Sequence, residues 1–326
     1  MKRSLTLVLV ASLAALTGCS SAAGVANPSA SPTAAVPVAT GVATASTAPT
    51  AQPTLASPWK IVLQVVADSS VAMNVAGFLD ETNGISVGTA GEVHYTTDGG
   101  KTWPAGTNDT FCRFGLDIVS AQTAWHCGNG VIGLSSDGGK TWTVKGTYNS
   151  PDPLACKFVS FLDDKTGWAA NDSELTSIDN GGATVTAIKL PSGLSGTIAA
   201  INLRTAADGY VLDSGGTVWI TADGGKTWTS KPLGLTGDVV SPSGTPQAAM
   251  RFSDATHGVV VARLAGDAPK LVAFRTSDGG ATWQTEQVGL NFAHGNDVTS
   301  VYLAHDGVSL TVLDTHRGIT LLKYKA

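Results

Sequence analysis

Short apolar runs separated by polar turns recur along most of the chain. Six segments join an apolar run, a polar turn and a small residue followed by further apolar positions: FLDETNGISVG (78–88), IVSAQTAWHCG (118–128), FLDDKTGWAAN (161–171), LRTAADGYVLD (203–213), FSDATHGVVVA (252–262) and LAHDGVSLT (303–311). The small residues are separated by 40, 43, 42, 49 and 49 positions: Gly84, Ala124, Gly167, Gly209, Gly258 and Gly307. Because a unit of that length holds about four short strands, the pattern predicts an all-β protein, a six-bladed β-propeller with four-stranded antiparallel blades.

An octapeptide follows the first pattern in most units. Four copies are intact: TTDGGKTW (96–103), SSDGGKTW (135–142), TADGGKTW (221–228) and TSDGGATW (276–283). The third unit has a degenerate copy, SIDNGGATV (177–185), in which Asn180 is inserted and Val185 replaces the tryptophan. The sixth unit has none. The segment WKIVLQVV (59–66) is a strand with no unit of its own, and we expect it to supply the missing outer strand and close the ring.

The chemistry of the octapeptide favours a structural role. An aspartate before a Gly-Gly turn can accept backbone N–H groups, and glycine readily takes positive φ. The aspartates at this position are Asp98, Asp137, Asp223 and Asp278, with Asp179 in the degenerate copy. Each intact copy ends in a tryptophan that begins the outer strand, where a large ring can pack between neighbouring sheets: Trp103, Trp142, Trp228 and Trp283. One carboxylate per copy is a poor calcium site.

The N-terminus has the layout of an export signal. Lys2 and Arg3 precede an apolar run, Leu5 to Leu16, that is too short to span a bilayer and is followed by LTGC. This resembles a bacterial lipoprotein signal, which implies cleavage of residues 1–18 and attachment of lipid, such as palmitate, to Cys19. An ordinary secretory signal is the alternative. Residues 20–58 contain no charged side chain and predict a disordered tether, so that 19–58 forms a lipidated linker and 59–326 the propeller.

The net charge argues against nucleic acid as a partner. The chain has a formal charge of −5, and removal of Lys2 and Arg3 with the signal leaves −5 − 2 = −7. An acidic, exported chain of this kind is not expected to bind nucleic acid or anionic lipid heads through its folded part.

The octapeptide resembles the Asp-box, or BNR repeat, which has the pattern Ser/Thr-x-Asp-x-Gly-x-Thr-Trp. The ring as a whole is similar to the propellers of photosystem II assembly and stability factors. The resemblance covers nearly all of 59–326 and implies a protein partner. It does not imply a particular activity, because sialidases, other glycoside hydrolases, receptors and assembly factors all carry the repeat.

A sialidase-like exo-glycosidase is the main enzymatic alternative. It would need three arginines, a tyrosine activated by a glutamate, and an acid/base aspartate. No Arg-Ile-Pro start is present, and the chain has four glutamates, at 81, 92, 174 and 286. Arg251, on a predicted inner strand, is the one suggestive arginine.

No cofactor or metal site is predicted. The six histidines are scattered among different units, and no phosphate loop, His-Glu-x-x-His or Gly-x-Ser-x-Gly sequence is present. Cys112, Cys127 and Cys156 would lie in an oxidising compartment, where a disulfide is expected. Cys112 with Cys127 is slightly favoured over Cys112 with Cys156, although connectivity does not follow from sequence alone.

Ligands of a propeller are expected on the rims of its channel. Two segments exceed the repeat, Leu233 to Gln247 and Arg263 to Lys270, and are either binding loops or tolerated insertions. Arg251 and Arg263 are the candidate rim residues. We therefore expect an extracytoplasmic, lipid-anchored propeller that binds an unidentified protein without catalysis. A glycosidase and a carbohydrate-binding surface protein are the alternatives.

Overall fold

The computed structural model describes residues 57–88, 90–108, 114–128, 130–148, 156–235, 238–239, 247–265, 270–290 and 298–325. Six antiparallel sheets follow one another along this chain, and their innermost strands contact each other in a closed sequence, with the last touching the first. The predicted six-bladed β-propeller is therefore confirmed. Helical structure in the described residues is limited to one 3-10 turn, Asn180–Gly182, and none of it could cross a bilayer.

The strands of each blade run from the channel outward in chain order. The first three blades comprise β2 (Val75–Phe78), β3 (Gly84–Val87) and β4 (Val93–Thr96); β6 (Gly115–Ile118), β7 (Ala124–Gly128), β8 (Val131–Ser135) and β9 (Thr141–Thr147); and β10 (Phe158–Phe161), β11 (Gly167–Ala170), β12 (Leu175–Asp179) and β13 (Thr184–Ile188). The fourth and fifth comprise β14 (Ile198–Leu203), β15 (Gly209–Asp213), β16 (Thr217–Thr221) and β17 (Thr229–Pro232); and β18 (Ala248–Phe252), β19 (Gly258–Leu264), β20 (Lys270–Thr276) and β21 (Gln284–Gln287).

The sixth blade joins the two ends of the described chain. It consists of β22 (Val298–Leu303), β23 (Ser309–Asp314), β24 (Gly318–Tyr324) and, as its outer strand, β1 (Trp59–Val66). β1 runs antiparallel to β24 from the pair Trp59–Tyr324 to the pair Val66–Gly318. The predicted closure by the N-terminal strand is confirmed.

The first blade departs from the four-strand rule. Its outer segment forms one bridge, Ala105 with His94, and then leaves the blade. The next strand, β5 (Thr107–Asn108), pairs in parallel with β9 and gives the second blade five strands. Pro104, directly after Trp103, has no backbone N–H to donate, which weakens a regular ladder at this point.

The repeat anchor of the sixth unit is also shifted. The five earlier anchors each begin the second strand of their blade, whereas Gly307 lies in the turn before β23. The pair Leu303–Leu310 corresponds to the pair Phe78–Gly84 of the first blade, so Leu310 occupies the anchor position. The turn between β22 and β23 differs in length from the equivalent turns of the other blades. For this reason the choice of Gly307 from the sequence placed the sixth anchor three residues too early.

The core consists of six apolar clusters, and each combines residues from at least two neighbouring blades. The cluster between the first and second blades also includes Tyr302 and Ala304 of the sixth. The four octapeptide tryptophans all belong to, or pack against, such clusters, and Trp142 is only 2 % exposed between the first and second blades. Leu233 and Val239, from one of the longer segments, are buried between the fourth and fifth blades. Most of the remaining residues of that segment, and residues 266–269 of the other, lie outside the described residues.

The disulfide differs from the expected pairing. Cys127 is bonded to Cys156, with the two Cα atoms 5.8 Å apart. Cys127 lies on β7 and Cys156 just before β10, and these strands contact each other across the interface of the second and third blades. Proximity was therefore decided by blade packing rather than by separation along the chain. Cys112 lies outside the described residues.

Each intact octapeptide forms the same hydrogen-bonded turn. In the second blade the Ser135 hydroxyl donates to Asp137 Oδ1 at 2.8 Å and accepts the Gly139 N–H at 2.9 Å. Asp137 in turn accepts the Thr141 N–H at 2.9 Å and the Thr141 hydroxyl at 2.6 Å. Gly138 and Gly139 have φ of +77° and +91°, values that favour glycine. Corresponding bonds form around Asp98, Asp223 and Asp278.

The degenerate copy lacks this network. Asn180 has a φ of +53°, and Asp179 caps the following turn with no side-chain hydrogen bond. The inserted residue moves Thr184 one position further from the aspartate, and Thr184 accepts a bond from the Asn180 amide at 3.2 Å instead.

The contrast between Asp137 and Asp179 makes a direct prediction. Asp137→Ala should lower the free energy of unfolding by about 1–3 kcal/mol, because it leaves the Thr141 N–H and two hydroxyls without their acceptor. Asp179→Ala should cost less than about 0.5 kcal/mol, as expected away from such networks. Urea denaturation of both variants measures the difference, and equal losses would refute the structural role given to Asp137.

Candidate functional site

One position of the inner strand links each blade to the next. It is the residue before the last in each inner strand: Gly77, Asp117, Ser160, Asn202, Arg251 and Tyr302. Four of these side chains bond the backbone of the last residue in the following inner strand. The bonds are Phe161 N–H to Asp117 at 2.7 Å, Leu203 N–H to Ser160 at 3.0 Å, Phe252 N–H to Asn202 at 2.8 Å, and Arg251 Nε to the Leu303 carbonyl at 3.2 Å.

Tyr302 and Gly77 complete this ring differently. The Tyr302 hydroxyl reaches past the first blade and accepts the N–H of Ile118, in the second blade, at 3.0 Å. A Cβ at Gly77 would lie 2.8 Å from the tyrosine ring, so the close approach requires glycine there. The N–H of Phe78 is satisfied by the Thr311 hydroxyl at 3.1 Å.

A buried ion pair occupies the centre of the ring. Arg251 Nη2 donates to Asp117 Oδ1 at 2.5 Å, and Arg251 Nη1 donates to the Ser160 hydroxyl at 3.2 Å. His305 Nε2 lies 2.9 Å from the same Asp117 oxygen, and the His305 side chain is 30 % exposed. Asp117 is fully buried and Arg251 is 8 % exposed. These contacts join the second, third, fifth and sixth blades through one cluster, which we call the central cluster.

The electrostatics of the central cluster favour the charged pair. Burial by itself would raise the pKa of Asp117, but Arg251, His305 and the Phe161 N–H outweigh it and lower that pKa to about 2. Burial would lower the pKa of Arg251, and the Asp117 carboxylate raises it above its ordinary value instead. Burial and the Asp117 charge raise the pKa of Tyr302. The carboxylate is therefore committed to internal partners and is not a free acid or base.

The channel beside the central cluster has both apolar and polar residues in its wall, including Lys157. A cavity of about 60 Å³ lies there, lined by Val75, Leu116, Phe158, Ala200 and Val301, with Arg251 and Tyr302 also in its wall. That volume is enough for a few ordered water molecules.

The described arginines do not converge. Arg204 pairs with Asp208 at 2.5 Å, and Arg275 pairs with Glu286 at 3.3 Å, each within its own blade. Arg263 donates to the Gln247 side chain at 2.9 Å, at the opposite end of the fifth blade from Arg251. Of the two candidate rim residues, Arg251 thus lies in the channel centre and Arg263 lies apart from it. Arg113 is outside the described residues.

No cluster of three or more potential metal-ligating side chains occurs within the described part of the chain. His126 is fully buried, with its ring centroid 4.3 Å from that of Trp142, and burial lowers its pKa to about 3. This histidine is a packed core residue.

A second cleft lies between the fifth and sixth blades, on the face that carries the octapeptide turns. Its volume is about 280 Å³. Arg251 lies at its inner end, Ser277 and Gln284 contribute from the fifth blade, and Val308 and Tyr324 contribute from the sixth. The cleft between the first and second blades has about 100 Å³.

Sequence reasoning singled out Arg251 but not Asp117, Ser160, Tyr302 or His305. The sequence does contain a signal for them. The inner strands consist mainly of apolar or small residues, but the residue before the last is polar in five of the six. Aligning that position across the repeats would have identified the central cluster's members, though not which of them pair.

Comparison with known proteins supports the fold. No protein-family model and no curated protein matches the chain. A solved structure described as YCF48 bound to D1 peptide has a TM-score of 0.52 at 16% identity, covering 84% of this chain and 99% of that one. U3-55K has a TM-score of 0.52 at 8% identity, covering 83% and 100%. A catalytically inactive virginiamycin B lyase from Staphylococcus aureus with quinupristin has a TM-score of 0.50 at 14% identity, covering 76% and 79%. The chain is similar in fold to all three, and they include an enzyme.

The central cluster predicts a large stability effect. Arg251→Met should lower the free energy of unfolding by about 3–5 kcal/mol, because it leaves the buried Asp117 carboxylate without its cation. The pKa of Asp117 is lowered from 3.8 to about 2, so its contribution is complete above pH 3.8 and is lost as the pH falls toward 2. Asp117→Asn should remove that part of the acid-induced loss.

Denaturant unfolding at pH 7, and then along a series from pH 5 to pH 2, measures both effects. The double variant Asp117→Asn with Arg251→Met should be more stable than Arg251→Met alone. An Arg251→Met protein as stable as the wild type would contradict the assignment of the central cluster.

Proposed function

We propose that this chain is a lipid-anchored, extracytoplasmic propeller that binds a protein partner and has no catalytic activity of its own. The observation that carries the proposal is the central cluster. The buried Asp117–Arg251 pair lies where the inner strands meet at the channel, and its hydrogen-bonding capacity is used internally. We therefore expect recognition at a surface site.

The glycosidase alternative lacks support in the described residues. A sialidase-like site needs several arginines around one substrate carboxylate, and Arg251 alone lies at the channel, already paired with Asp117. A carbohydrate-binding role has no observation in its favour beyond the resemblance of the octapeptide.

A protein partner is supported by analogy. The solved structure described as YCF48 bound to D1 peptide has a similar fold and holds a peptide. The identity of the partner does not transfer with the fold.

The location outside the cytoplasm is supported by two features. The first is the N-terminal signal with Cys19, which lies outside the described residues. The second is the buried disulfide Cys127–Cys156, since disulfides form and persist mainly in oxidising compartments. The tether 20–58 would let the propeller reach a partner in or near the membrane.

The proposed function predicts binding without turnover. Immobilised full-length protein should retain one reproducible protein from the detergent-solubilised envelope of its source cell, and heat-unfolded bait should not. The same preparation should release no product from a panel of aryl glycosides and sialosides. Hydrolysis above the buffer rate, abolished by a variant of the propeller, would sink the proposal and restore the glycosidase alternative.

The anchor has its own test. Cells grown with a clickable palmitate analogue should label the wild-type protein and should not label Cys19→Ala. The variant should also move from the membrane fraction to the soluble fraction, because the lipid is the expected anchor. Labelling that persists in Cys19→Ala would refute the assignment of Cys19.

A further inference from the structure

The outer strand of the sixth blade has two roles. In the other blades an octapeptide turn or its degenerate copy follows the third strand, whereas in the sixth blade β24 and its neighbour β1 come from opposite ends of the described chain. The predicted tether, residues 20–58, leads into β1. The strand that closes the ring is therefore also the strand that any pull on the tether reaches first.

Polar contacts tie the residues before β1 to the fifth blade. The Ser57 hydroxyl donates to the Gln287 carbonyl at 2.8 Å and accepts the Gly289 N–H at 3.4 Å. The same hydroxyl accepts the Trp59 N–H at 3.2 Å, and Lys60 Nζ donates to the Ser57 carbonyl at 2.8 Å. Gln287 ends β21, the outer strand of the fifth blade. The chain thus contacts a neighbouring blade before it enters its own.

An intact octapeptide makes a similar attachment. Trp228 Nε1, in the fourth blade, donates to the carbonyl of Lys189, directly after the outer strand of the third blade, at 3.0 Å. Ser57 bonds the carbonyl at the end of the outer strand of the fifth blade in the same way. Trp59 begins β1 as the octapeptide tryptophans begin other outer strands. The contacts of Ser57 and Trp59 therefore replace an octapeptide turn, but without its covalent link to the third strand.

A buried aromatic and charged layer strengthens this attachment. Trp59 is 2 % exposed, and its ring centroid lies 5.6 Å from that of Tyr324. The Arg275 guanidinium lies 3.3 Å from the Tyr324 ring centroid, and cations are attracted to such ring faces. Glu286 accepts Arg275 Nε at 3.3 Å and the Tyr324 hydroxyl at 3.1 Å. We call Ser57, Trp59, Arg275, Glu286 and Tyr324 the fifth-blade clamp.

Beyond the fifth-blade clamp, β1 is held mainly by its ladder with β24. The ladder runs from the pair Trp59–Tyr324 to the pair Val66–Gly318 and is interrupted by one register shift. Val66, at the far end, is 59 % exposed. A pull on the tether acts at the Trp59 end and would load the ladder one pair at a time. A ladder loaded in this way resists poorly, because each hydrogen bond breaks before the next takes up the load.

We propose that the fifth-blade clamp carries the load of the tether. It ties the start of β1 to the fifth blade, so that a pull on the anchored chain reaches that blade before the β1–β24 ladder, and the ring stays closed. The proposal rests on the proposed function, since the load arises between a lipid anchor and a partner bound to the propeller.

Single-molecule pulling of the full chain in two geometries tests the proposal. One handle is a clickable amino acid at position 144, which is exposed on the outer strand of the second blade. The other handle is at the N-terminus, so that the load passes through the tether, or at position 66, at the opposite end of β1. Only the first geometry places the fifth-blade clamp in the line of load.

The two geometries should give different results. Ser57→Ala and Arg275→Gln should each raise the rate of β1 release at constant force about tenfold under N-terminal load, which corresponds to about 1.4 kcal/mol of barrier height. Load at position 66 should leave that rate nearly unchanged in both variants, because the ladder then opens from its far end. Circular dichroism spectra that match the wild type show that the variants fold.

Gln64→Ala is the matched control. It removes a bond to the Thr320 hydroxyl, 3.3 Å long, in the far half of the ladder. This variant should speed release under load at position 66 and leave release under N-terminal load nearly unchanged.

The outcomes separate a load-bearing role from plain packing. Equal acceleration of Ser57→Ala and Arg275→Gln in both geometries would mean that these residues only stabilise the fold, and it would overturn the proposal. Unchanged release under N-terminal load would overturn it as well. These measurements need neither lipid nor partner. Failed palmitate labelling or failed partner retention would therefore count against the proposed function alone.

Discussion

The fold depends on burying both faces of each blade against its neighbours. A single blade cannot bury its own apolar faces, and each of the six clusters draws on at least two blades. Because every cluster is shared, the ring must close for either terminal blade to be complete. β1 achieves this by pairing with β24 and by placing Trp59 between the fifth and sixth blades.

The octapeptide turn and the closing strand are two solutions to the same packing problem. Where the octapeptide is intact, the aspartate fixes the turn, glycine permits close approach, and the tryptophan fills the interface. At the sixth interface the ends of β1 and β24 take the place of the turn, with Trp59 against Tyr324 and the Ser57 hydroxyl donating to the Gln287 carbonyl at 2.8 Å. The repeat without a turn thus breaks the approximate symmetry that would otherwise make all six interfaces alike.

The central cluster fixes the relative positions of the blades around the channel. Equivalent positions of five inner strands carry five different polar side chains: Asp117, Ser160, Asn202, Arg251 and Tyr302. Their hydrogen bonds run from one blade to another, which a ring of identical residues would not provide. Buried ion pairs add little net stability compared with apolar packing, but breaking one is costly. The cluster therefore holds the blades in one arrangement.

The sequence by itself determined the number of blades, the octapeptide hairpins and the closing strand, because these depend on local turn chemistry and on counting repeats. It also supplied Arg251 as a residue of interest. It did not determine that Cys127 pairs with Cys156, that the first blade gives up its outer strand, or that Arg251 binds Asp117, 134 positions away. Contacts of that kind join different blades, and they form only once the ring has closed and its inner strands meet at the axis.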